Sequence, residues 1–224
     1  MEPTLHLPIL KRAGTVLIAV GLIDIAVMVY CIVNAVSYSS SFNIFAVIVG
    51  VFLVRGSLRT AANVRWFAVF MLSGFLALLI GWPFIQPMDL TLTELRLSPL
   101  AFLGSFSVAA AVLAMLFWLY RQLGLAPIQA AHVAAGRKIR DMRIPAVAGI
   151  SIVVLLAGVM TVMGGGETAS KAKSLAEQQL GAAYRYHVSS LNMYSNGHGT
   201  FVTAVVTAWN EGEVRNVSVK WEEH

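Results

Sequence analysis

The sequence predicts an all-α membrane bundle of five transmembrane helices followed by a small C-terminal α+β domain, and three observations predict it. Hydrophobic residues make up 58% of the 224 and charged residues only 12%, which is too apolar for an ordinary soluble domain of this length. Long apolar runs recur along residues 13–163, separated by short segments rich in Arg and Lys. Residues 164–224 hold no such run and instead alternate polar and apolar positions.

Residues 1–12 form a short N-terminus ending in Lys11 and Arg12, and the first span covers 13–34. About 22 residues at 1.5 Å each are enough to cross a hydrocarbon core of ~30 Å. The run exceeds the apolar core of a cleavable leader, contains Asp24 and lacks a clean small-x-small site, so it reads as an uncleaved span. The further spans are 66–85, 99–120 and 145–163. The remaining run, Phe42 to Val54, is short, and taken alone fits a re-entrant segment as well as a span.

Charge placement decides that choice. Short cytoplasmic loops collect Lys and Arg. If the second run spans, borrowing flanks to cover 38–58, then Lys11, Arg12, Arg55, Arg59, Arg65 and the basic loop 121–144 share one side. If it only dips and returns, the basic segments fall outside and the rule is reversed. The expectation is five spans, a cytoplasmic N-terminus, an extracytoplasmic domain over 164–224 and residence in a bacterial inner membrane. In the loop, Arg137, Lys138, Arg140 and Arg143 follow a stretch with Leu125, Ile128 and Val133. That pattern suggests a helix lying on the membrane, its basic end toward anionic lipid, or simply a solvated connector.

The tail reads as a helix over 167–183 that stops at Gly181, then three strands. Tyr184, Tyr186 and Val188 alternate with Arg185 and His187, and Asn196-Gly197 marks a tight turn. A second strand runs from Thr200 to Trp209, and after Asn210-Glu211-Gly212 a third places Val217, Val219 and Trp221 on one face. A three-stranded meander with one covering helix is near the lower limit of independent stability and has two open edges. It is expected to lean on the bundle, on a second copy or on a protein partner. Tyr184, Tyr186, Phe201, Trp209 and Trp221 are its core aromatics or, in the functional reading, a partner-binding face.

Asp24 is the sharpest single site. An ionised carboxylate at mid-membrane costs at least ~2.5 kcal/mol, so such residues face a bundle interior or a water path. On a helical wheel it shares a stripe with Gly14, Leu17, Gly21, Met28 and Cys31. The glycines there would let another helix approach closely. Its readings are a structural hydrogen bond, a proton or cation site, or a contact with a partner's membrane helix.

Other chemistries fall away. None of His6, His132, His187, His198 and His224 lies within a predicted span, as an intramembrane haem would need. Asp24 has no second intramembrane carboxylate for aspartyl proteolysis. No H-E-x-x-H, G-x-S-x-G or nucleotide-binding glycine loop occurs. The single cysteine, Cys31, rules out an internal disulfide. Scattered tail histidines without cysteine support are weak metal ligands. No metal, no cofactor and no nucleic-acid partner are expected, since the pI of about 9.6 follows from topology. Two functions remain: a non-enzymatic membrane protein anchoring an extracytoplasmic interaction domain, as an accessory or assembly subunit of a membrane complex, or a small oligomeric proton- or cation-coupled transporter using Asp24.

Overall fold

The computed structural model describes residues 5–35, 43–196 and 199–223. It is mostly helical and closes with a three-stranded antiparallel sheet. The chain divides into two compact units, residues 1–74 with 112–149, and residues 75–111 with 150–224. Four helices are long and apolar enough to cross a membrane: α1 (His6–Val33), α3 (Leu58–Ile85), α5 (Pro99–Gln122) and α7 (Arg143–Gly165). The second predicted span is a shorter helix, α2 (Asn43–Val54), of 12 residues. At 1.5 Å per residue that is about 18 Å, less than the hydrocarbon core. Its expected extension over 38–41 lies outside the described residues, as do Gly197, His198 and His224.

In the first unit α1 and α2 run antiparallel and pack most closely where two glycines meet. A Cβ built on Gly14 would lie 2.5 Å from the Gly50 carbonyl oxygen, and one on Gly50 would lie 2.6 Å from Ile18 Cγ1. Leu10, Ala13, Leu17 and Leu53 are buried along this line. Alpha-helix α2 then ends in a Schellman motif: Gly56, at φ +82°, donates to Leu53 O and Ser57 to Phe52 O. The Ser57 hydroxyl caps α3, accepting from Thr60 N–H at 3.3 Å. Helix α5 supplies Leu116 and Leu119 to the same core, joined by Leu123 just after it, and α7 packs on α3 through Gly149, which leaves no room for a Cβ against Phe70 O and Ser73. Gly104, Ser107, Ala111 and Ala114 are all exposed, and a Cβ at Gly104 would meet nothing within 4 Å.

The second unit contains two helices outside the long apolar ones. The segment after α3 forms α4 (Met88–Leu97), with Asp89 in its first turn and Arg96 in its last, both favourable to the helix dipole. Helix α3 runs two residues past Pro83 to Ile85, and although Pro83 has no N–H to give to the preceding turn, Gln86 N–H still donates to Trp82 O at 3.0 Å. Helix α8 (Glu167–Leu180) lays Ala169, Ala172 and Ala176 on Val188, Ala204, Val206 and Val219. The strands are β1 (Arg185–Asn196), β2 (Gly199–Trp209) and β3 (Val214–Glu223), in the order β1-β2-β3. Their register pairs Val188 with Val206 and Val206 with Val217, and a bulge falls between Val188 and Ser190. The β2–β3 turn is tied by Asn210 Oδ1, which accepts from Gly212 N–H at 2.9 Å and Glu213 N–H at 3.0 Å.

Candidate functional site

The face of the sheet turned away from α8 carries the site. Cross-strand pairing places His187 beside Thr207 and Thr207 beside Asn216, making a polar row across all three strands. Thr207 is only 6% exposed. Its hydroxyl donates to Asn216 Oδ1 at 2.9 Å and accepts from the Ser189 hydroxyl, so both its hydrogen-bonding roles are filled. Ser189 reaches it because it is the bulged residue, turned by the extra position in β1.

This row forms one wall of a cavity of about 720 Å³, within the size range of small-molecule sites. The opposite wall is Leu90 and Glu94 of α4, with Gln86 just before it. Gln86 Nε2 donates to Glu94 Oε2 at 3.2 Å. The apolar end is Phe84 and Ile85 of α3 and Met160 of α7. Helix α4 is joined to the sheet by an ion pair between Asp89 and Arg185, which holds the Asp89 carboxyl below its usual range. Burial, then Lys173, pushes the His187 imidazole pKa down and keeps it neutral. Among the described residues, Glu94 and His187 are the ionisable side chains lining this cavity.

The aromatic residues expected to form one face are distributed over both. Tyr186 and Trp221 pack on the α8 side, where Tyr186 Oη donates to Gly181 O at 2.6 Å and Lys171 lies 5.8 Å from the Trp221 ring centre. Trp209 is buried, paired in register with Arg185 and Val214. Tyr184 donates to Glu213, which raises its phenol pKa. Of the five, only Phe201 is exposed, at 42%, and its cross-strand partner Tyr194 is 68% exposed. Ser189 and Thr207 were not singled out from sequence. The bulge does leave a trace there: inward apolar positions shift from even, at Tyr186 and Val188, to odd, at Leu191 and Met193, across Ser189-Ser190.

In the first unit, Asp24 is half-buried on α1, three residues beyond Gly21, the last of the buried series Leu10, Ala13, Gly14, Leu17 and Gly21. A second cavity of about 520 Å³ lies between α2, α3 and α5; it is apolar at Phe45, Phe52 and Leu116 and polar at Thr60 and Asn63. Asp24 lines neither cavity. The basic loop contains α6 (Ala126–Ala134), closed by a Schellman motif in which Gly136, at φ +67°, donates to Val133 O and Arg137 to His132 O. His132 is buried, and desolvation, then Arg137, Arg65, Arg140 and His6, lower its pKa. Arg137, Lys138, Arg140 and Arg143 are exposed; Arg140 donates to Asn63 Oδ1 at 3.0 Å. The Arg65 guanidinium lies 5.3 Å from the Tyr120 ring centre.

Three His, Cys, Asp or Glu side chains do not come together as metal ligands among the described residues. No protein-family model, no curated protein and no solved structure matches the chain.

Proposed function

We propose that the chain is a non-enzymatic, multi-pass protein of a cell inner membrane that anchors its C-terminal α+β domain in the periplasm as an interaction module, serving as an accessory or assembly subunit of a membrane complex. The observation carrying the interaction reading is the exposed cross-strand pair Tyr194 and Phe201 near the end of the β1–β2 hairpin. Exposed aromatic pairs on a rigid ribbon are what partner surfaces use as anchors.

Five crossings with the N-terminus inside are supported by contacts at three places. Leu7, at the start of α1, lies against Gly56, just after α2, so the α1–α2 pair returns to the side from which it set out. His6 and Arg65 bear on His132, and Arg140 on Asn63, which gathers the N-terminus, the start of α3 and the basic loop at one end. The Asp89–Arg185 pair joins the α4 segment to the sheet, which supports a reading in which α5 and α7 make two further crossings between them. The cations then obey the positive-inside rule.

The test combines topology with partner retention. Reporter fusions after Arg140 and after Glu222 should report cytoplasm and periplasm respectively; cytoplasmic signal from Glu222 overturns the orientation. Purified in mild detergent, the wild-type protein should carry a stable partner that the Tyr194→Ser, Phe201→Ser double variant loses while keeping its fold. Retention of that partner by the variant overturns the assignment of the hairpin.

A further inference from the structure

The cavity of about 720 Å³ joins three chemistries: the hydrogen-bonding row on the sheet, the Glu94 carboxylate, and apolar side chains at the ends of α3 and α7. Phe84 and Met160 are largely exposed, and each belongs to a helix long and apolar enough to cross a membrane. Where those helices leave the bilayer, their side chains meet acyl chains, while the sheet and α4 face water. A molecule filling this space meets an apolar end and a polar end.

Charge selects the polar end. Among the described residues no Lys or Arg lines the cavity, and Glu94 supplies a carboxylate whose Oε2 accepts from the neutral Gln86 amide at 3.2 Å. An anionic head placed there would face a carboxylate without a compensating cation, at a cost. An ammonium would form a charge-assisted hydrogen bond to the carboxylate. Thr207 is occupied at both its donor and its acceptor, but Asn216 reserves its amide N–H₂ and His187, neutral, offers one donor and one acceptor. These fit the ester or hydroxyl oxygens that follow an amine in an amphiphile's head.

We infer that the cavity binds a membrane-resident amphiphile bearing a primary ammonium, with the ammonium at Glu94, the adjoining oxygens on the His187–Thr207–Asn216 row, and the chain against Phe84, Ile85 and Met160. This goes beyond the interaction reading and rests only on α3 and α7 crossing a membrane, so it stands or falls separately from the periplasmic partner. The ammonium could come from an aminophospholipid of the bilayer or from a single-chain amine, and the two sources are separable.

The full-length protein is released from detergent micelles containing equal phosphatidylethanolamine and phosphatidylglycerol and read by native mass spectrometry, with dodecylammonium as a parallel probe. The wild type should retain the ethanolamine lipid over the glycerol lipid by about tenfold, equivalent to about 1.4 kcal/mol. Glu94→Gln should abolish that preference, Glu94→Asp should keep most of it, and Val205→Phe, which fills the cavity from the sheet side, should lower retention of both lipids. Retention of dodecylammonium but not of the lipid assigns a single-chain amine; retention of both assigns the bilayer lipid. Equal retention of the two lipids by the wild type with no dodecylammonium bound, or an unchanged preference in a folded Glu94→Gln protein, overturns the proposal. Circular dichroism of each variant establishes that it is folded, and Val205→Phe carries the comparison should Glu94→Gln fail to fold, with unchanged retention of both lipids overturning the site.

Discussion

Gly14 of α1 and Gly50 of α2 touch backbone to backbone: a Cβ on Gly14 would lie 2.5 Å from the Gly50 carbonyl oxygen, and one on Gly50 would lie 2.7 Å from that of Gly14. Neither helix can yield locally, because the obstructing atoms are main chain. In lipid, where apolar burial does not drive helices together, close backbone approach is the principal source of packing energy. Gly14→Ala and Gly50→Ala should each lower stability by about 1–3 kcal/mol, the usual cost of overpacking. Gly104→Ala and Gly158→Ala, where a Cβ meets nothing within 4 Å, should be neutral or slightly stabilising. Thermal unfolding of the four variants in one detergent checks the contrast; equal effects across all four would sink it.

The Asp89–Arg185 pair is exposed on both sides, at 41% and 71% of the side chain. Screening by water keeps its worth within ~0.2–1 kcal/mol. Its sign with pH is nonetheless fixed. Asp89 has a folded pKa held below its unfolded one by Arg185, so its contribution is complete above the unfolded carboxylate pKa and disappears as the pH falls through the folded value. Asp89→Asn should remove that acid-side loss and be mildly destabilising at neutral pH. The exchange Asp89→Arg with Arg185→Asp should restore more stability than the two single changes sum to, and a double-mutant cycle with no coupling would refute the pairing.

Much of this architecture was legible because burial periodicity and turn chemistry are local. Ala172 and Ala176 of α8, the Val217, Val219 and Trp221 face of β3, the stop at Gly181 and the Asn210 turn all stand where the sequence places them. The stripe through Gly14, Leu17 and Gly21 is also the buried side of α1. What escaped was non-local. Helix α4 is tied to the end of α3 by Trp82 Nε1 to Thr91 Oγ1 at 3.4 Å and to the residue after it by Gln86 to Glu94, contacts that a ten-residue amphipathic segment does not announce. The cavity needs α4, two helix ends and one sheet face together, and no window of sequence contains them. The expected aromatic face dissolved because strand alternation sends Tyr186 and Trp209 to opposite sides.

His132 is expected to make the first unit sensitive to mild acid. It is 6% exposed on α6, and desolvation together with Arg137, Arg65, Arg140 and His6 depresses its folded pKa. A histidine held neutral in this way favours folding fully above its unfolded pKa. Stability is then lost as the pH falls through the ordinary imidazole range, because the unfolded chain takes up the proton first. His187 in the other unit has the same sign. Melting in detergent at about pH 8 and about pH 5.5 should therefore show a drop for the wild type, a smaller drop for His132→Gln and for His187→Gln, and the smallest for the double variant. An undiminished drop in the double variant would exclude both residues as its cause.

The α8–sheet interface should be the most easily overpacked part of the C-terminal domain. Ala172 and Ala176 on the helix and Ala204 on β2 are all fully buried, so methyl groups form the centre of the helix–sheet contact, with Leu175, Tyr186 and Trp221 packed around them. Leucine at Ala204 adds three carbon atoms at the centre of that contact, where neither Val206 nor Val219 has room to turn aside, and a cost of about 1–3 kcal/mol follows. For a three-stranded sheet that depends on its covering helix, this is a large share of its stability. The helix should detach before the sheet unravels, since β2 keeps both its neighbours through the ladder. Lys171 and Lys173 on α8 then become trypsin sites. Limited proteolysis of Ala204→Leu should cut there faster than in the wild type, whereas Thr203→Val, on the opposite face of the same strand, should leave the rate unchanged. Equal cleavage rates for Ala204→Leu and the wild type would mean that α8 is held by something other than its alanine face.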